Sequence, residues 1–162
     1  MLRNFSRGND RTLLKRYLED KMNLRFLIAG IVGFLISMIG GIVFHGILLH
    51  GDYAPLVASG IMRTDADGMN YLPFMLVSHL IKGFAFAWIY TKGLTPGAPA
   101  LMQGFKFGVA TVFLVTIPLY LVYYAVEPMP GMLVAKQIAS DTIVMVLMGV
   151  AVSFIIKPPT HA

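Results

Sequence analysis

Apolar residues run in four long blocks, roughly 25–49, 71–91, 100–126 and 132–156, and few charges interrupt them. A hydrocarbon core of about 30 Å takes roughly 20 apolar residues as a helix. Each block is long enough to cross it. The predicted fold is therefore all-α, an integral membrane bundle of four transmembrane helices. The connections are short and rich in helix breakers, with Pro96, Gly97 and Pro99 in 92–99 and "EPMPG" at 127–131. The third and fourth helices are then antiparallel neighbours. Only 50–70 is longer. Within it, "APLVASGIM" at 54–62 is apolar enough to dip into the outer interface as a short helix, and "DADG" at 65–68 lacks the rest of a calcium loop and reads as a turn. The first block is too long for a signal-peptide core, so it is expected to be a retained helix.

The character of the chain changes ahead of the first block. In "NDRTLLKRYLEDKM", residues 9–22, Leu13, Leu14, Tyr17 and Leu18 share one helical face among charges. Asn9 or Asp10 is placed to cap the start. This predicts an N-terminal amphipathic helix lying on the inner leaflet. The expected organisation is a basic cytoplasmic amphipathic segment, 1–24, a four-helix transmembrane domain, 25–156, and a cytoplasmic tail, 157–162.

Charge sets the orientation. Seven of the thirteen Lys and Arg residues fall within the first 25 positions: Arg3, Arg7, Arg11, Lys15, Arg16, Lys21 and Arg25. Lys92 and Lys157 lie on the same side, whereas the long connection on the other side has only Arg63. The excess of Lys and Arg marks the cytoplasmic side, so both termini are expected there, in a bacterial inner membrane. Trp88 and Tyr90 mark the inner interface, and Tyr53, Tyr71, Tyr123 and Tyr124 the outer one. A basic end beside an apolar span suits an anionic leaflet, and no base-stacking pattern points to nucleic acid. The chain has no cysteine. That excludes disulfides, thiolate metal sites, cysteine nucleophiles and covalently attached c-type haem.

Small residues recur every fourth position and let helices approach closely. The rows are Ala29, Gly33, Ser37, Gly41 and His45; His79, Gly83 and Ala87; Ala100, Gly104 and Gly108; and Gln137, Asp141, Met145, Gly149 and Ser153. Apart from Ala100, Gly104 and Gly108, each row begins or ends on a polar residue, so the polar groups face protein rather than lipid. At ~1.5 Å per residue, His79 and Lys82 of "LVSHLIKGFAF" lie about 12 and 16 Å below Tyr71, and Asp141 about 14 Å below Met132. A buried charge in lipid seeks a partner. A buried polar cluster of His79, Lys82, Asp141, Gln137 and His45 is therefore expected, with Asp141 pairing Lys82. Lys106 and Lys136 are near helix ends and can snorkel. His50 and Asp52 fall at the interface. Pro118 in "TIPLYLVYY" should kink the third helix and free the Leu114 carbonyl, to be satisfied by Thr116 or by a neighbouring helix.

"GGIVFHGILLHGDYAPL", "LMQGFKFGVA" and "SDTIVMVLMGVAVSF" resemble segments of small uncharacterised bacterial four-helix membrane proteins, grouped as a domain of unknown function. The resemblance spans most of 25–156 and implies the membrane fold, with no activity and no catalytic residues. His45 and His50 stand where aromatics and glycines are expected.

No nucleophile–base–acid set, phosphate loop or metal-ligand spacing is present, so no catalytic residue, metal or cofactor is required. The leading expectation is a non-enzymatic structural or accessory component that packs with itself, as a homodimer, or with a larger membrane complex. The alternative is a proton-coupled or small-ligand carrier using His79, Lys82 and Asp141. Third is a haem- or quinone-linked redox subunit using His45 and His79.

Overall fold

The computed structural model describes the backbone of residues 4–157 and the side chains of residues 22–157. Among the described residues every element is helical. Helix α1, Asn4–Gly41, runs on into a π-helical segment, Ile42–Leu48. Helix α2, His50–Ala58, and α3, Asp65–Asn70, fill the long connection, and α4 spans Leu72–Lys92. Helix α5, Ala100–Thr111, continues through a second π-helical segment, Val112–Thr116, into α6, Ile117–Val126. Helix α7, Gly131–Ile155, ends the bundle. Four stretches are long and apolar enough to cross a membrane: Met22–Leu48, Leu72–Lys92, Ala100–Val126 and Gly131–Ile155. In lipid every backbone polar group must be bonded within the chain, which is why these Val- and Ile-rich stretches are helical.

Proline opens each helix from α4 onwards. Pro73 and Pro118 lie in the first turns of α4 and α6, and Pro99 and Pro130 immediately precede α5 and α7. At Pro73, Pro99 and Pro130 the missing N–H is harmless, because that donor has no intrahelical acceptor, whereas Pro118 lies within a continuous span, directly after the second π-helical segment. The segment 65–68 is not a turn but the first part of α3. Thr64 Oγ1 accepts the Asp67 amide at 3.2 Å and caps it. The amphipathic face expected over residues 9–22 falls on side chains outside the described set, Met22 excepted. The backbone there is helical and continuous with the first span.

Helix α1 packs against both α4 and α7, and α7 packs against α5. The contacts are made backbone to backbone. A methyl group on Gly83 would lie 2.5 Å from the Gly30 carbonyl oxygen, and one on Gly108 2.7 Å from Val146 Cα. Gly33 meets Gly83, and Gly104 and Gly149 face each other. Around these contacts Ala29, Phe86, Ala87, Tyr90, Met148 and Val152 form the core. Phe107 packs edge-on against Phe86 and Tyr90 at 4.8 and 5.3 Å and joins α4 to α5. The outward faces are apolar instead. Phe74, Leu114 and Val126 are each more than 70% exposed, a surface suited to lipid and not to water.

Helix α2 folds back over one end. Leu56 is buried with Leu49 and Leu133, flanked by Tyr53 and Met129. This clasp brings α2 onto the start of α7 and positions the polar groups described next.

Candidate functional site: a hydrogen-bond chain at the α2 end

Asp141 is the only acidic residue within the four spans. Both its oxygens are engaged. Oδ1 lies 3.0 Å from His45 Nε2, and Oδ2 accepts the Tyr120 hydroxyl at 2.8 Å. The other ring nitrogen of His45, Nδ1, lies 2.7 Å from the Tyr53 hydroxyl. Gln137 Nε2 donates to that same hydroxyl oxygen at 3.0 Å. The His45 and Tyr53 rings stack at 6.2 Å between centroids. Five side chains from α2, α6, α7 and the first π-helical segment thus form one chain: Gln137, Tyr53, His45, Asp141, Tyr120.

One proton assignment satisfies every link. An ionised Asp141 accepts twice. A neutral His45 with its proton on Nε2 donates to Asp141 and leaves Nδ1 as an acceptor. Tyr53 then donates to Nδ1 and accepts from Gln137. Burial pushes the Tyr53 phenol above its ordinary value of 10.0; the hydrogen bond from Gln137 works against this, and the charges of Asp141 and Asp52 add to it. Tyr53 therefore stays protonated and able to donate at neutral pH. The Gln137 carbonyl oxygen and the Thr116 hydroxyl are buried without a partner among the described residues.

The pairing expected between Lys82 and Asp141 is replaced by His45 with Asp141. Matching depth fixes only one coordinate. Helix α1 packs on both α4 and α7, so Asp141 meets the end of the first span. Among the described residues two contacts join a basic side chain to a carboxylate: the hydrogen bond from neutral His45 to Asp141 and the Lys136–Asp52 ion pair at 2.8 Å. Lys82 is half-buried and stands in neither. His79 sits apart from the chain, with Nδ1 2.6 Å from Ser37 Oγ and its ring against Gly41. Of the five polar residues expected to cluster, His45, Gln137 and Asp141 are linked. Their further partners, Tyr53 and Tyr120, carry no sequence signal beyond that of interfacial aromatics. Lys136 is held by Asp52. Thr116 does not satisfy the Leu114 carbonyl. The π-helical segment absorbs the disruption one turn before Pro118.

Both nitrogens of His45 are occupied, so a metal or haem iron could take His45 only by breaking a bond to Tyr53 or Asp141. Among the described residues no group of three or more His, Asp or Glu side chains is placed to hold a metal ion. Comparison of the chain with family models, curated proteins and solved structures found no match.

Proposed function

We propose that this is a small multi-pass protein of the bacterial inner membrane, both termini cytoplasmic, acting without catalysis as a structural or accessory component. It packs with itself or with a larger membrane complex, and its amphipathic N-terminal segment lies on the anionic inner leaflet. The observation that carries this reading is the hydrogen-bond chain from Gln137 to Tyr120, in which both nitrogens of His45 and both oxygens of Asp141 are used. Groups tied in this way fix helix register. They are not left free to meet a substrate. The test is the native mass of the protein extracted gently from its own membranes. A fixed stoichiometry with a second copy or another membrane protein is expected. A bare monomer at every protein-to-detergent ratio would sink the reading.

One observation favours a second reading, a proton-coupled or small-ligand carrier. Lys82 lies half-buried within a span, with no carboxylate within 4.0 Å among the described residues. An unpaired ammonium inside a membrane is costly and often serves transport. In vesicles holding a pH-sensitive dye, a carrier would move protons in the parent and not in Lys82→Gln, with equal melting temperatures. No proton movement in the parent, with or without candidate substrates, would dismiss it.

A further inference from the structure

An open groove with room for about 370 Å³ lies between the end of α4 and the start of α5, at the end of the bundle opposite α2. We infer that it binds a phosphate-bearing ligand, with the anionic headgroup of a membrane phospholipid as its occupant. Its size falls in the range of small-ligand sites, about 300–1,000 Å³. Met102, Phe107, Lys106 and Thr95 are among the residues that line it.

The shape does not wait for a ligand. Gln103 fastens the connecting loop, accepting the Thr95 amide and donating to the Gly93 carbonyl, both at 3.2 Å. Behind it, Tyr90 and Phe107 are locked edge to face. A loop already fastened by its own hydrogen bonds lowers the ordering cost of binding.

Charge selects the occupant. Arg25, Lys92, Lys106 and Lys157 lie at this end of the spans. The described carboxylates lie elsewhere: Asp52, Asp65, Asp67 and Glu127 at the opposite end, and Asp141 within α7 on the same half as Tyr120. In the sequence Asp10, Glu19 and Asp20 also precede the first span at this end, but ten Lys and Arg residues stand against them, so the balance stays basic. Depth selects the lipid. Lys106 lies six residues into α5, about 9 Å from its start. Its stem can follow the groove while the ammonium returns to the phosphate level. A lipid placed there sets its phosphate against Lys106 and its glycerol and acyl groups against Met102 and Phe107. This inference needs only the membrane placement and is independent of which functional reading holds.

The full chain would be reconstituted in phosphatidylcholine vesicles containing phosphatidylglycerol, extracted gently and weighed as an intact complex. One retained phosphatidylglycerol is expected. Lys106→Gln should weaken retention by about tenfold, the loss of one charge-assisted contact. Met102→Trp keeps the charge but fills the groove, and should also abolish retention. Lys157→Gln, at the same end but away from the groove, should retain the lipid as the parent does. Equal weakening by Lys106→Gln and Lys157→Gln would reduce the effect to general attraction and overturn the site. Retention unchanged in both Lys106→Gln and Met102→Trp would overturn it as well. Displacement of the lipid by inorganic phosphate alone would overturn the lipid as occupant and point to free phosphate.

Discussion

His45 and Asp141 are each about a quarter exposed, at 26% of their side-chain surface, so which partner is removed decides the cost. His45→Ala leaves a carboxylate with one donor. Losing a hydrogen bond to a charged group costs about 1.5–3 kcal/mol, and the partial exposure places this variant near the lower end. Asp141→Asn removes the charge and keeps the shape, so a loss of about 1–2 kcal/mol is expected. The double variant should cost less than the sum, because the charge orphaned by the first change is absent. Thermal unfolding of all three in one detergent measures this, and strict additivity would show that the two residues are not coupled. Tyr53 adds a pH dependence. Its folded value is raised above 10.0, by burial first, with Gln137 opposing and Asp141 and Asp52 contributing. A raised folded value favours the neutral phenol in the fold. Its stabilisation is complete below about pH 10 and is lost as pH rises through the folded value. Tyr53→Phe should therefore flatten the alkaline limb of the stability profile while lowering stability at neutral pH by about 1 kcal/mol. An unchanged alkaline limb would remove Tyr53 from the linkage.

Helices approach through glycine, so a single methyl is a sensitive probe of element packing. Gly83→Ala would press a methyl onto the backbone of α1, and a loss of about 1–3 kcal/mol is expected from overpacking. Gly51→Ala in α2 meets nothing within 4 Å and should be neutral or gain up to about 1 kcal/mol from helix propensity. Equal melting temperatures for the two variants would contradict the α1–α4 contact. The four spans were legible because apolar length alone marks them, and the glycines of the close contacts sit at four-residue spacing in plain view. The hydrogen-bond chain was legible only in part. His45, Gln137 and Asp141 stand out as polar groups in apolar surroundings, whereas Tyr53 and Tyr120 look like interfacial aromatics. Register hid the rest. Each π-helical segment takes in an extra residue, so a face counted at 3.6 residues per turn upstream is not the face reached beyond it. His45 lies inside one such segment and Tyr120 follows the other. Depth counting matched Lys82 to Asp141 because it carries no information about which helices are neighbours.

At the scale of the molecule, an even number of spans places the two ends of the four-span unit on one side, and α2 and α3 on the other. The distribution of charge then predicts which side is which. Inward insertion favours the end with Lys92, Lys106 and Lys157 and the seven basic residues of the N-terminal 25. The end that carries α2 and α3 keeps its two described Lys and Arg groups occupied, Lys136 by Asp52 and Arg63 over the Tyr71 ring at 3.8 Å. Because the chain has no cysteine, the prediction can be tested without background. Ala58 at the end of α2 and Lys157 beyond α7 are both exposed. In intact spheroplasts, a membrane-impermeant maleimide should label Ala58→Cys, and should label Lys157→Cys only after the membrane is opened. The reverse pattern would place the basic end outside. The hydrogen-bond chain of Asp141 would then face the cytoplasm, and a phospholipid held by Lys106 would have to come from the outer leaflet. Labelling of both in intact cells would mean a dual orientation, which so uneven a charge distribution should forbid.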